Sequence, residues 1–172
     1  MRALITGASG SGTSTLARSV AGRLRIAAFD ADDYFWLPTS PPFVSKREPQ
    51  ERLAMILRDL GAAGNCVLGG SIVDWGAQLE DSFSLVVFLT VPSEVRVERL
   101  RVREIAQLGC ADPAFLDWAA QYDEGRLEGR SRAKHERWLA ARRCPVLRID
   151  GAVALEDSSA RVLSTLAGLP GS

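Results

Sequence analysis

Residues 2–24 run from a short apolar stretch, RALIT, through a turn rich in glycine and serine, GASGSG, into TSTLARSVAGRL. In the last segment Leu16, Val20 and Leu24 recur every fourth position, which reads as one apolar face of a helix, and RALIT reads as a buried strand. Strand, tight loop and helix in this order open an α/β unit, whose helix must pack back on its own sheet.

The pattern continues along the chain. RIAAFD (25–30), NCVLGG (65–70), FSLVVFLTV (83–91) and CPVLRID (144–150) read as further strands, the third of them apolar almost throughout, as a central strand covered on both faces must be. QERLAMILRDLGAAG (50–64), EVRVERLRVREIAQLG (94–109) and ALEDSSARVLSTLAGL (154–169) read as helices; 114–143 reads as helical but loosened at Gly125 and Gly129. YFWLPTSPPFVSKREP (34–49) has turn signals and no helical period, and SIVDWGAQLEDS (71–82) reads as a loop with a short helical turn. The expectation is a single α/β domain over residues 1–172, with a parallel sheet of about five strands and right-handed crossovers.

Charge and composition narrow the partners. Lys plus Arg and Asp plus Glu both total 21, so the net charge is zero, which argues against a general nucleic-acid or anionic-membrane partner. No stretch reaches the roughly 18 apolar residues of a membrane span. Cys66, Cys110 and Cys144 lack metal-ligand spacing, and a lone histidine, His135, leaves no two-histidine metal site. A cytoplasmic protein acting on a small molecule is expected.

GASGSGTST fits the pattern G-x-x-x-x-G-K-[ST] at Gly7, Gly12 and Ser14, with Thr13 where the lysine stands. Such a loop wraps an anion with the backbone N–H groups of Ala8, Ser9, Gly10, Ser11 and Gly12 and adds the positive end of the following helix. The Ser14 hydroxyl falls where Mg²⁺ is held; Thr13 or Thr15 could touch phosphate, but neither carries charge. GASGSG also fits the loop of dinucleotide-binding folds, with Asp30 about 20 residues on as the ribose acid. Against that, the nearest match to a Tyr-x-x-x-Lys pair is Tyr122 with Arg126.

FDADDYFW sets Asp30 and Asp32 at the carboxyl end of the second strand, where open α/β sheets bind ligands. If the segment stays extended, both carboxylates point the same way, one toward Mg²⁺ and the other toward an acceptor hydroxyl. Tyr34, Phe35 and Trp36 offer a pocket wall, as Asp74 and Trp75 do on the acceptor side, and Gly69, Gly70 and Ser71 offer close backbone approach. Lys46, ten residues past the aromatics, could fold back toward the phosphates in place of the missing lysine. Arg96, Arg99 and Arg103 share a helix face, and Arg126, Arg130 and Arg132 follow later. Phosphoryl transfer needs such cations over the transferring group, on a segment able to close.

Taken together, ITGASGSGTSTLA, FDADDYFWLPTSPPF and YDEGRLEGRSRAKHERWL resemble the small P-loop kinases of the nucleoside monophosphate kinase and shikimate kinase group. Within it the chain is similar to bacterial adenylate kinase-like proteins, here with a lysine-less Walker A loop. The resemblance implies a three-layer α/β/α P-loop NTPase fold with strand order 2-3-1-4-5 and a small helical lid around 104–132. It implies transfer of the γ-phosphoryl of ATP, with Mg²⁺, to a nucleoside monophosphate or small hydroxylated metabolite. By position, residues 7–15 would bind ATP, Ser14 and Asp30 the metal, and Asp32 the acceptor hydroxyl. Arg126 would reach ATP from the lid, and Arg130 or Arg132 the acceptor or transferring phosphate. A nucleotide-binding protein with little kinase activity, favoured by Thr13, and an NAD(P)-binding oxidoreductase are the alternatives.

Overall fold

The computed structural model describes residues 1–125 and 129–169. The elements in order are β1 (Arg2–Gly7), α1 (Thr13–Leu24), β2 (Ala27–Asp30), α2 (Ala31–Phe35), α3 (Pro49–Ala63), β3 (Cys66–Gly69) and α4 (Ala77–Glu80). Then come β4 (Leu85–Thr90), α5 (Ser93–Leu108), α6 (Pro113–Ala120), α7 (Arg132–Ala140), β5 (Val146–Asp150) and α8 (Leu155–Ala167). The strands form one parallel five-stranded sheet in the order β2-β3-β1-β4-β5. β1 is central, with Leu4 paired to Leu68 on one side and to Val86 on the other.

Side-chain alternation along the strands divides the core in two. Leu4, Leu68, Val86 and Phe88 face Ile56 and Leu60 of α3 and Trp138 and Leu139 of α7. Ala3, Ile5, Val67 and Val87 face Leu16 and Val20 of α1 and Val162 and Leu166 of α8. The result is a three-layer α/β/α sandwich whose sheet is apolar on both faces, as a parallel sheet must be. β1 lies beside β3 and not beside β2, which is not the strand order of the dinucleotide fold.

Three local expectations change. The acidic run does not stay extended past Asp30: the Asp30 carboxylate accepts the Asp32 N–H at 3.1 Å and starts α2 at once. The helical reading of 114–143 resolves into α6 and α7, separated by a stretch in which Gly125 and Gly129 take φ of 67° and 107°. Arg96 does not share an exposed face with Arg99 and Arg103: α5 buries it together with Leu100. The Arg96 side chain is only 1% exposed, and its guanidinium donates to Val91 O, Ala119 O and the Asp123 carboxylate at 2.7–3.1 Å. That set of acceptors explains how a charge is accommodated in the core, and it ties α6 to α5.

Candidate active site

The first loop is built by exclusion of side chains. A Cβ on Gly7 would lie 2.6 Å from Ser11 Oγ and 2.7 Å from Leu89 O. One on Gly10, at φ 81°, would lie 2.5 Å from Arg96 O, so the loop rests directly on the backbone of α5. Gly12 takes φ 91° and opens α1 with no side-chain cap and no acid in the first turn. Inside the loop Ser11 closes a turn on Ala8 O through its N–H and its hydroxyl, and the first α1 bond runs from Leu16 N–H to Gly12 O. Among the described residues the amides of Ser9, Gly10, Gly12, Thr13, Ser14 and Thr15 have no acceptor, nor do the hydroxyls of Thr13, Ser14 and Thr15 have a partner. Unpaired amides at an uncapped helix start form a nest shaped for phosphate. The residues present therefore fit a nucleotide triphosphate tail, and the free Ser14 hydroxyl with a carboxylate such as Asp30 is the hard oxygen donor set that Mg²⁺ prefers.

Neighbouring elements hold the nest against the sheet edge. A Cβ on Gly69 would lie 3.0 Å from Ser14 Cα, so β3 and the start of α1 touch backbone to backbone. Behind the loop, Gly151 packs against Ser11 O, and Arg99 reaches Gly151 O at 3.4 Å. Arg96 and Arg99 thus support the loop from α5, while Arg103 is near enough to lower the Asp32 pKa.

Asp30 is drawn in two directions, with Oδ1 on the Asp32 N–H and Oδ2 3.5 Å from Arg18. Asp32 is exposed, yet protein crowds its flanks. That desolvation lifts its carboxyl above the usual range; Arg130 and Arg103 pull it down and Asp30 pushes it up. A carboxylate with a raised pKa at a ligand-facing edge has the character of a proton acceptor.

Arg130 lines two adjoining spaces. One is a crevice shared with Ser9 of the loop, Trp118 and Tyr122. The other is a cavity of about 420 Å³. Lys46 lines this cavity too, 5.8 Å above the Phe35 ring, and no residue of the 7–15 loop does. Lys46 therefore stands at the cavity and not beside the 7–15 loop, where the sequence led it to be expected. Arg126 lies outside the described residues. Arg132 is 3.5 Å from Asp123.

The cavity walls are aromatic: Phe35, Trp36 and Trp75 from the body of the domain, Phe115 and Trp118 from α6. Tyr34 is not among them; it is buried, with its hydroxyl on Asp59 at 3.0 Å. Asp74 pairs with Lys134 at 2.6 Å, and Lys134 lines the cavity. Buried Glu80 accepts the Trp75 N–H at 2.9 Å and the Trp138 indole N–H at 2.6 Å, fixing the Trp75 wall. Ser71 and His135 also line the space, their side chains 3.0 Å apart. Sequence reasoning missed Phe115, Trp118, Lys134 and the role of His135. The one available signal was the density of aromatics in AFLDWAAQY, which the reading of that stretch simply as helix passed over.

Comparison with known proteins places this geometry. Residues 4–107 match the family model described as an AAA domain. The uncharacterized protein YqaC of Bacillus subtilis (strain 168) is 40% identical, over 94% of this chain and 95% of its own length. Among solved structures, the shikimate kinase of Bacteroides thetaiotaomicron superposes with a TM-score of 0.62 at 17% identity, covering 97% of this chain and 98% of that one. The deoxyadenosine kinase of M. mycoides gives 0.60 at 12% identity over 98% and 100%, and a gluconokinase of Sinorhizobium meliloti 0.57 at 18% over 96% and 95%. The fold is that of the P-loop kinases, and the chain belongs to the AAA-domain family that its residues 4–107 match.

Proposed function

We propose that this protein is an adenylate kinase-like phosphotransferase that moves the γ-phosphoryl group of ATP, with Mg²⁺, to a nucleoside monophosphate or small hydroxylated metabolite. The observation that carries the reading is the position of Arg130, which borders both the loop at Ser9 and the aromatic cavity and acts on the Asp32 carboxyl. A cation between a phosphate seat and an acceptor pocket, beside a carboxylate of raised pKa, is what in-line phosphoryl transfer requires.

In this scheme the unpaired amides of Ser9, Gly10 and Gly12 to Thr15 hold the phosphate oxygens and fix the direction of the terminal group. Ser14 and Asp30 would hold Mg²⁺, which would supply Lewis-acid neutralisation of the phosphate charge. Where the acceptor is a hydroxyl, Asp32 orients it and takes its proton as the new P–O bond forms and the bond from the γ-phosphorus to ADP breaks. Arg130, joined by Arg126 from the lid, supplies the charge that Thr13 does not. Lys46 holds the acceptor.

The test is phosphotransfer from MgATP against nucleoside monophosphates and hydroxylated metabolites. Asp32→Asn should lower kcat by roughly 10²-fold or more, and Ser14→Ala should weaken Mg²⁺-dependent turnover. Wild-type turnover in Asp32→Asn would remove Asp32 from this role. One observation favours a second reading, nucleotide binding with little turnover: the uncharged Thr13 at the lysine position. Tight MgATP binding without transfer to any acceptor would decide for it.

A further inference from the structure

We propose that the cavity beside the loop selects an acceptor that carries a flat, electron-rich ring and an anionic group, a phosphate or a carboxylate, over aliphatic polyols of the same size. The proposal rests on the phosphotransfer reading in naming this molecule the acceptor; the binding preference itself follows from the walls.

Two near-parallel ring pairs line the space. Phe35 and Trp75 lie 6.2 Å apart at 19°, and Phe115 and Trp118 lie 6.0 Å apart at 20°. Such faces favour a planar guest over a puckered one. Arg52 of α3 adds a sign to this preference. Its guanidinium carbon sits 4.1 Å from the Trp75 ring centre and 5.1 Å from that of Phe35, yet Arg52 does not itself line the cavity. Among the described residues it makes no ion pair, and its buried Nε has no hydrogen-bond partner. The ring faces are thus its main surroundings. A cation behind a ring draws on the negative charge of that ring's faces, which leaves the opposite face less repulsive to electron-rich guests and anions.

The polar lining agrees. Lys46, Arg130 and Lys134 contribute cations and, among the described residues, no carboxylate lines the cavity. Lys134 is held by Asp74 and Arg130 acts on Asp32, whereas Lys46 has no acidic partner among the described residues. Lys46 is therefore the seat of the guest's anionic group.

Quenching of tryptophan fluorescence reads the site directly, because Trp36, Trp75 and Trp118 line it. Phenyl phosphate and cyclohexyl phosphate match in charge and differ in the ring. The wild-type protein, titrated with each, with and without saturating MgATP, should bind phenyl phosphate roughly three- to ten-fold more tightly. Arg52→Met should bring that ratio toward one, and Lys46→Met should remove the preference for phenyl phosphate over neutral phenol. Equal affinity for the two phosphates, quenching by neither, or a preference for phenol overturns the proposal. The wild-type comparison decides even if Arg52→Met does not fold. Displacement of a fluorescent ATP analogue tests the loop separately. Ring selectivity without nucleotide binding would sink the kinase reading and leave this one standing, and nucleotide binding without ring selectivity would do the reverse.

Discussion

Ser71 and His135 are joined side chain to side chain, Oγ to Nε2 at 3.0 Å, across 64 positions of sequence. The other ring nitrogen of His135 lies 2.7 Å from the Tyr122 hydroxyl, so the histidine links the end of β3, the turn after α6 and the start of α7. With both nitrogens engaged by hydroxyls and the ring 1% exposed, His135 stays neutral; burial, with Arg130 next, holds its pKa at about 4.

A pH dependence of stability follows. His135 binds a proton near pH 6.5 when unfolded but only near 4 when folded. Between these values the unfolded state holds more protons, so stability contributed by the neutral ring is fully present above pH 6.5 and lost as pH falls to about 4. The loss is on the order of 3 kcal/mol. Urea unfolding at several pH values should show a shallower decline over this window in His135→Gln than in the wild type.

Gly10 and Gly22 should respond to alanine with opposite sign. At Gly10 the new Cβ meets the Arg96 carbonyl and φ is 81°, so Gly10→Ala should cost about 2 kcal/mol or more and weaken nucleotide binding. Gly22 lies inside α1 with open space around it, so Gly22→Ala should stabilise by roughly 0.5–1 kcal/mol and leave binding unchanged. Thermal unfolding and nucleotide titration of the two variants check this.

Arg96→Met should separate α6 from α5. It strips the carbonyls of Val91 and Ala119 and the Asp123 carboxylate of their donor, at a cost of about 3 kcal/mol. Hydrogen exchange over residues 113–125 should rise more than exchange in β1 and β4.

Arg130→Met should move the acid limb of the kcat/KM profile to higher pH. The guanidinium lowers the Asp32 pKa, so its removal lets burial and Asp30 raise that carboxyl further, and a base that must be ionised is lost at higher pH. An unmoved acid limb would show that Asp32 does not govern it.

The layers and the loop were legible because they are written locally. The apolar run at 83–91 marks a central strand, and Gly7 and Gly12 mark a turn that cannot carry side chains. The cap that Asp30 provides is local as well, but an acidic run at a strand end reads equally well as extended. The aromatic cavity was only half visible. Phe35, Trp36 and Trp75 sit near motifs, but Phe115, Trp118 and Lys134 reach the cavity from α6 and α7, Arg52 of α3 lies against the Trp75 ring, and no spacing in one segment encodes a meeting of several. Arg96 misled for a related reason: its acceptors at 91, 119 and 123 come together only through packing, so the arginines of α5 read as one charged face.

The unpaired amides of the first loop belong to the main chain, and this changes what substitution can do to the site. An amide hydrogen neither titrates nor disappears when a side chain is exchanged, short of a change to proline. The nest of amides is thus set by the fold, and the glycines at 7, 10 and 12 are obligatory to its shape, the first two through close packing and Gly10 and Gly12 through positive φ. Position 13 gives that nest its amide whatever its side chain, so exchanging Thr13 alters the charge at the loop and leaves the main-chain donors in place.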